Sequence, residues 1–130
     1  MIIDSSAILA IAFLEPEALR FAAAILESDR RQMSALNWLE TMMVVEAGFG
    51  PSAADDTLLM LQQLTIGIVA FDATHMQEAL EAWRRYGKGR HPAALNLGDC
   101  CAYAASKIED EPLLYKGIDF EKTDVVKAAW

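Results

Sequence analysis

The sequence predicts an α/β domain built around a mainly parallel central sheet that is flanked by helices. Short β-branched or apolar runs alternate along the chain with longer segments of helical periodicity, the pattern of strand–helix–strand units. A hydrophobic content of 54% excludes a disordered chain. No internal repeat, low-complexity tract or linker divides the 130 residues. We therefore expect one domain over residues 1–130.

The first half of the chain predicts two strands and four helices. Met1–Ile3 is β-branched and reads as a strand, and the polar residues 4–6 supply the cap of the helix that follows. Proline favours the first position of a helix, so Pro16 indicates the N-terminus of a second helix. The predicted elements after the first strand are a helix over Ala7–Phe13, a helix over Glu17–Glu27, a strand within Arg30–Ala35, a helix over Leu36–Ala47 and a helix that Ser52 caps and that ends at Leu64.

The second half predicts two further strands and two helices. Its strands are short apolar runs, and its helices begin at Asp or Thr residues of the kind that cap helix N-termini. The predicted elements are a strand over Thr65–Phe71, a helix from Asp72 or Thr74 to Tyr86, a polar loop over Gly87–Pro92, an apolar helix that begins near Asp99, and a strand over Pro112–Tyr115 before a turn at Lys116 and Gly117.

Acidic residues fall where the predicted strands end. Asp4 ends the first strand, and Asp119 follows the last strand across a short turn. Asp99 opens a helix whose N-terminus faces the same edge, although helix capping alone explains an acid at that position well. Ligands of such sheets bind outside the carboxyl ends of the strands. We therefore expect these three carboxylates to meet at one edge of the sheet.

Glu40 is a fourth candidate because it lies inside an apolar stripe of its predicted helix. The stripe consists of Leu36, Leu39, Met43, Val44 and Ala47. A buried carboxylate needs a partner or a raised pKa. The alternatives for Glu40 are a structural salt bridge to an arginine or a position at the wet end of the helix.

Four clustered carboxylates require cations or protons. Two unit charges about 4 Å apart repel each other by roughly 4 kcal/mol at an effective dielectric constant near 20. Oxygen ligands suit Mg²⁺ or Mn²⁺ rather than zinc, and such a site is most useful for hydrolysing phosphate esters. His75 and His91 stand far apart in the sequence, and we interpret both as surface residues.

Charge and cysteine content limit the class of protein further. The net charge of −8 argues against broad binding of nucleic acid through bulk charge, but it permits a basic rim around an acidic site. Cys100 and Cys101 are adjacent, which predicts small buried hydrophobic residues in a reducing compartment. No apolar run approaches the roughly 20 residues of a membrane span, and the N-terminus lacks the features of a signal peptide. We expect a cytoplasmic protein without a membrane partner.

The chain resembles the PIN-domain ribonucleases of the VapC toxin type over nearly its whole length. The resemblance rests on MIIDSSAILAI at the start, on Glu40 within SALNWLET, on RRYGKGRHPAALNLGDCCAYA and on PLLYKGIDF near the end. It implies a PIN-like three-layer fold and a Mg²⁺- or Mn²⁺-dependent endoribonuclease that leaves a 5′-phosphate and a 3′-hydroxyl. It also implies a small VapB-like antitoxin that blocks the site, and a homodimer or a toxin–antitoxin hetero-oligomer.

The resemblance also assigns roles to individual residues. The turn before the fourth acid lacks the additional Asn or Asp that many family members carry, so Asp124 is an alternative to Asp119 and the number of metal ions stays open. The residues that match the family's site are Asp4, Glu40 and Asp99 as the three core acids, Asp119 as the fourth, Ser6 as a small hydroxyl residue beside the first acid, and Asn96 as a residue that orients Asp99 or caps its helix.

Two surfaces are candidates for binding partners. Arg84, Arg85, Lys88 and Arg90 surround Tyr86 and predict contacts with RNA phosphates and a base, although cations also suit the C-terminus of a solvated helix. On the predicted helix Leu36–Ala47, the face opposite the apolar stripe that contains Glu40 carries Trp38, Met42 and Val45. We expect this opposite face, together with Leu58–Leu64, to pack against a second subunit or the antitoxin.

Other functions fit the sequence less well, with one exception. A receiver-type signalling domain needs paired acids after the first strand, and a haloacid-dehalogenase-like phosphatase needs a second Asp where Ser6 stands. A PIN fold that only binds partners does not need all four acids. A housekeeping RNA-processing nuclease shares every residue named above and stays an alternative to the toxin.

Overall fold

A parallel sheet of four short strands runs through the middle of the protein, described for residues 1–130 by a computed structural model. The order across the sheet is β3-β2-β1-β4, and every pairing is parallel. Parallel sheets are covered by helices on both faces, so central strands are apolar on both sides. The strands are β1 (Ile2–Ile3), β2 (Gln32–Ser34), β3 (Gly67–Val69) and β4 (Leu113–Leu114).

Six α-helices and one 3-10 helix connect the strands. Together with the parallel sheet they confirm the predicted α/β class. None of the helices combines the length and the apolar character that crossing a bilayer requires. The helices are α1 (Ser5–Ala12), α2 (Ala18–Glu27), α3 (Ala35–Phe49), α4 (Pro51–Gln63), α5 (Ala73–Tyr86) and α6 (Leu97–Glu109), and the 3-10 helix spans Asp119–Lys122.

The core consists of two apolar layers, one on each face of the sheet. Successive residues of a strand point to opposite faces. Ile2 therefore packs with α5 and α6, whereas Ile3 packs with α1, α2 and α4, and both side chains are fully buried. Cys100 and Cys101 are free and buried, as predicted.

Several element boundaries differ from the prediction for local reasons. Helix α1 begins at Ser5 because Asp4 is its N-cap. Strand β3 begins late because Thr65 has a φ of +52°, which ends α4 in a left-handed residue before the strand starts. The prediction that Ser52 caps α4 was wrong: Gly50 is the N-cap, and Pro51 occupies the first turn.

The predicted inner face of α3 was also wrong. The buried residues are Asn37, Thr41 and Val45, and Trp38 and Met42 pack against the core on the Ile3 face of the sheet. The surface predicted for a partner is therefore part of the core. The stripe predicted to be buried is mostly exposed, with accessibilities of 52% for Leu39, 62% for Met43 and 41% for Val44. Both faces of this helix are apolar, so periodicity did not distinguish them.

One histidine differs from the prediction as well. His75 is buried, with 6% of its surface exposed, and its Nδ1 lies 2.9 Å from Oδ1 of Asp72. Asp72 is the N-cap of α5, and its carboxylate also accepts hydrogen bonds from two backbone amides. His75 therefore closes the first turn of α5 instead of standing on the surface.

Candidate active site

Asp4 stands at the carboxyl end of the central strand β1. The sheet is extended from β1 on one side by β2 and β3 and on the other side by β4, so Asp4 lies at the topological switch point of the sheet. It caps α1: its Oδ2 accepts from the backbone N of Ser6 at 2.9 Å and from Ser6 Oγ at 2.5 Å. Only 3% of the residue is exposed. Burial raises the pKa of Asp4 most, and the charge of Glu40 adds to the rise, against the lowering effect of the Ser6 hydrogen bonds.

Glu40 projects from α3 toward the first turn of α6. Its Oε2 accepts a hydrogen bond of 2.5 Å from Ser5 Oγ, so a serine of α1 holds this carboxylate. A Cβ atom at Gly98 would lie 2.5 Å from the same oxygen. The side chain is half-buried and makes no ion pair with an arginine or lysine. The alternative of a structural salt bridge is therefore wrong.

Asp99 serves as a helix cap and also faces the other acids. Its Oδ2 accepts from the backbone N of Asn96 at 2.8 Å, and Asn96 Oδ1 accepts from the backbone N of Asp99 at 2.9 Å, which forms the capping box of α6. The predicted capping role of Asn96 is confirmed. Burial raises the pKa of Asp99 from 3.8 to about 6, and the charges of Asp4, Asp119 and Glu40 contribute. The four candidate acids are thus electrostatic neighbours.

The two candidates for the fourth acid have different surroundings. Asp119 is exposed, opens the 3-10 helix and contributes to the raised pKa of Asp99. Asp124 accepts a 2.6 Å hydrogen bond from Tyr103 and faces Arg85 and Lys107 at 3.4 and 3.5 Å, and these contacts lower its pKa. This geometry favours Asp119 over Asp124.

The donor set suits a hard divalent cation, although the side chains are not gathered around one point. No cationic side chain forms an ion pair with any of the four acids. Lys116, in the turn before Asp119, directs its ammonium to Glu15 and Glu17 and uses its backbone N to donate to Ser6 Oγ at 2.9 Å. No three Asp, Glu, His or Cys side chains lie close enough together to hold a metal ion. Binding a cation therefore requires the carboxylates to turn toward each other.

Comparison with known proteins decides the family. The family described as PIN domain matches residues 1–126. The chain belongs to the PIN-domain family. Within it, the chain is 44% identical over 129 residues to Ribonuclease VapC30 of Mycobacterium tuberculosis, which covers 99% of this chain and 98% of that protein. It is also 44% identical over 125 residues to Ribonuclease VapC of Mycolicibacterium smegmatis, covering 96% and 97% of the two chains. It is therefore a member of the VapC ribonucleases.

Solved structures of PIN-domain toxins show the same fold. The crystal structure of Mycobacterium tuberculosis VapC20, described as a toxin that cleaves the sarcin–ricin loop, superposes with a TM-score of 0.78 at 14% identity and covers 97% of this chain and 96% of that chain. A toxin–antitoxin complex from Klebsiella pneumoniae gives a TM-score of 0.74 at 17% identity, covering 96% and 93%. At these identities the likeness concerns the fold alone, and it confirms the predicted three-layer PIN architecture.

The basic residues near α5 of this PIN domain divide into paired and free cations. Arg84 pairs with Glu81, and Arg85 faces Asp124. The Arg90 guanidinium lies 4.0 Å from the centre of the Trp83 ring. Lys88 is exposed and takes part in none of the ion pairs. It lines a cavity of about 570 Å³ whose wall includes Asn96, so it stands beside the helix that carries Asp99.

An apolar groove begins at Glu40, one of the four candidate acids. It has a volume of about 430 Å³, and Glu40 and Gly98 form part of its wall. Leu97 projects beside it with 76% of its surface exposed. The apolar residues that line the groove are Leu36, Leu39, Met43, Val44 and Leu97.

Sequence reasoning missed Asn37, a buried residue of α3 whose amide contacts Asp4, Ser5 and Gly98. The signal that could have found it is its spacing from Glu40, since residues three apart share one face of a helix. An Asn near a helix N-terminus is usually explained by capping, which conceals this signal.

Proposed function

We propose that this PIN domain, residues 1–130, is the endoribonuclease toxin of a VapC-type toxin–antitoxin pair. PIN-domain ribonucleases are metal-dependent in general. We propose that the cation is Mg²⁺ or Mn²⁺ and that Asp4, Glu40, Asp99 and Asp119 hold it. The observation that carries this assignment is that Asp4, Glu40 and Asp99 lie at the junction of α1, α3 and α6 with no cationic side chain paired to them. Burial and the charges of the other three acids raise the pKa of Asp99 in agreement with this placement. A divalent cation compensates such a cluster of charges.

The reaction follows from the chemistry of the phosphodiester. Water adds to phosphorus in line with the leaving O3′, the bond from phosphorus to O3′ breaks, and the products carry a 5′-phosphate and a 3′-hydroxyl. The bound cation supplies charge neutralisation at phosphate oxygens and a lower pKa for water. Protein residues keep the carboxylates near one another: Ser6 donates to Asp4, Ser5 donates to Glu40, and Asp99 is held in the capping box of α6. We also propose that Lys88, which lines the cavity beside Asn96, and Arg90 bind phosphates of the RNA.

We propose that the antitoxin occupies the groove of Leu36, Leu39, Met43, Val44 and Leu97. Its apolar surface continues to Glu40 and Gly98, so a chain bound there would cover the acids. The uncompensated carboxylates favour a basic side chain of the partner at the end of the groove. This surface replaces the opposite face of α3, which the core occupies.

The homodimer and the cytoplasmic location stay predictions. RNA as the substrate and two free, buried cysteines agree with a reducing cytoplasm. The molar mass of the purified protein, measured by light scattering with and without the antitoxin, tests the homodimer. A monomer under both conditions would contradict it.

The test of the catalytic assignment compares wild type with Asp99→Asn. Asn retains an oxygen that can accept from Asn96, so the capping box and the fold should persist. We expect wild type to cleave synthetic RNA with Mg²⁺ or Mn²⁺ and to stop with EDTA. Asp99→Asn should lose more than the roughly 10- to 100-fold in rate that follows loss of a residue that only orients a metal ligand. Cleavage by the variant at the wild-type rate would refute the site.

A separate experiment distinguishes the toxin from a housekeeping nuclease. Induced expression of wild type without an antitoxin should arrest growth, whereas Asp99→Asn should not. Sequencing of RNA ends after induction then identifies the target. Growth that continues despite cleavage-competent protein would favour the housekeeping alternative.

A further inference from the structure

The Asn37 side chain joins three segments that carry candidate acids. Its Nδ2 donates to the carbonyl oxygen of Gly98 at 3.0 Å and lies 3.2 Å from Ser5 Oγ and 3.3 Å from Asp4 Oδ1. Ser5 Oγ in turn donates to the Glu40 carboxylate. One amide group thus connects the β1–α1 junction, helix α3 and the first turn of α6.

The Asn37 amide is only partly satisfied by hydrogen bonds. Asn37 is fully buried, and its Oδ1 has no hydrogen-bond partner, whereas its Nδ2 satisfies buried acceptors. Because a buried polar atom without a partner costs stability, the Oδ1 offsets part of what the Nδ2 contributes to folding. Thr41, one turn later on the same face, is also fully buried, but its hydroxyl is satisfied by donating to the carbonyl oxygen of Asn37 at 2.9 Å.

We propose that Asn37 is a positioning residue of the nuclease site. Its two amide hydrogens are shared among Gly98 O, Ser5 Oγ and Asp4 Oδ1, so the side chain links the Asp4 carboxylate, through Ser5, to the Glu40 carboxylate and limits how far apart these two ligands can stand. The inference rests on the proposed function, since it presumes that the two carboxylates bind a cation. Each carboxylate oxygen accepts more than one hydrogen bond, so the contact with Asn37 leaves Asp4 free to act as a ligand. Partners of this kind orient metal ligands and raise the affinity of the site.

The test compares Asn37→Leu, which keeps the volume and removes the donor, with Thr41→Val, which removes a buried hydroxyl that touches no acid. Mn²⁺ binding is measured by calorimetry without RNA, cleavage is measured against Mn²⁺ concentration, and melting temperatures are measured in EDTA. We expect Asn37→Leu to weaken Mn²⁺ binding by about 10- to 100-fold, with cleavage recovering at high Mn²⁺. Its melting temperature should fall about as much as that of Thr41→Val, because it leaves buried acceptors without a donor but also removes the unpaired Oδ1. Thr41→Val should melt lower and bind Mn²⁺ normally.

A second variant covers the case in which Asn37→Leu does not fold. Ser5→Ala interrupts the connection from Asn37 to Glu40 and leaves Asn37 in place, and it should weaken Mn²⁺ binding by a smaller factor. Unchanged Mn²⁺ binding in every variant that folds would overturn the inference while the proposed function stands. Loss of binding only in proportion to a lower melting temperature would make Asn37 structural and overturn it too. Wild type that neither binds Mn²⁺ nor cleaves RNA would refute the proposed function itself.

Discussion

The Glu40 carboxylate occupies the space in which a side chain at position 98 would lie. A Cβ atom on Gly98 would stand 2.5 Å from Oε2 and 2.8 Å from Oε1 of Glu40. Cβ atoms do not approach other heavy atoms this closely in proteins. Glycine at position 98 therefore lets α3 and α6 approach closely enough for the Glu40 side chain to extend toward the other acids. In α6, glycine costs about 1 kcal/mol of helix stability relative to alanine.

The first prediction is that Gly98→Ala reduces cleavage without damaging the fold. The methyl group displaces the end of a flexible side chain, which is cheap for folding, and alanine favours the helix by up to about 1 kcal/mol. Activity should fall at least tenfold, because Glu40 leaves its position. Melting temperature and cleavage rate are measured together. The matched control is Gly48→Ala, where a Cβ has open space within α3 and should leave activity unchanged. Equal activity of the two variants would contradict the prediction.

The second prediction concerns the stability of the metal-free protein between about pH 4 and pH 7. Burial and neighbouring acids raise the pKa of Asp99 to about 6. An acid whose pKa is higher in the folded than in the unfolded state contributes stability at low pH, and that contribution disappears as the pH rises through the folded pKa. Asp4 shifts in the same direction. The free energy of unfolding in EDTA should therefore fall on this pH rise, by on the order of 1–3 kcal/mol for Asp99.

Urea denaturation of wild type and Asp99→Asn measures this effect. The variant lacks the titrating group, so in EDTA it should be more stable than wild type at neutral pH and less dependent on pH. Adding Mn²⁺ should stabilise wild type more than the variant, because the cation favours the ionised form. If the free energy of unfolding changed with pH by the same amount in wild type and in Asp99→Asn, Asp99 would not contribute the predicted pH dependence.

The fold could be predicted from the sequence, and the four acids remain a prediction, whereas the orientation of α3 could not be predicted. Alternating strands and helices predict where parallel strands end. Asp4 directly follows β1 in the sequence, and Asp99 opens the helix that leads into β4. Helix α3 is apolar on both faces, so its periodicity predicted the wrong buried face. The residues that face inward, Asn37 and Thr41, are polar because they meet the acids and the backbone there. Only the tertiary contacts reveal that these two polar residues face inward.

The third prediction is that a basic residue without an ion-pair partner contributes more to RNA binding than a basic residue that already forms an ion pair. Lys88 has no ion-pair partner, whereas Arg84 pairs with Glu81. Lys88→Gln should raise the KM for RNA several-fold and reduce the slope of log affinity against log salt by roughly 0.7, the loss of one phosphate contact to a single strand. Arg84→Gln is the control and should change both values little. Filter binding at several salt concentrations, in the Asp99→Asn background that we expect not to cleave RNA, measures the slope. Equal effects of the two substitutions would indicate a diffuse electrostatic contribution instead of a phosphate contact at Lys88.

The last prediction concerns the exposed apolar face of α3, where the antitoxin is proposed to bind. Met43 is 62% exposed and lines the groove that ends at Glu40, so Met43→Lys places a charge where the partner must bury apolar surface. The variant should weaken antitoxin binding by at least tenfold and escape inhibition, yet retain cleavage of RNA, since it changes none of the four acids. Leu19→Lys is the control: Leu19 is 85% exposed on α2 and lines none of the grooves described above. Calorimetry with the purified antitoxin and cleavage in its presence test both variants, and tight inhibition of Met43→Lys would place the antitoxin on a different surface.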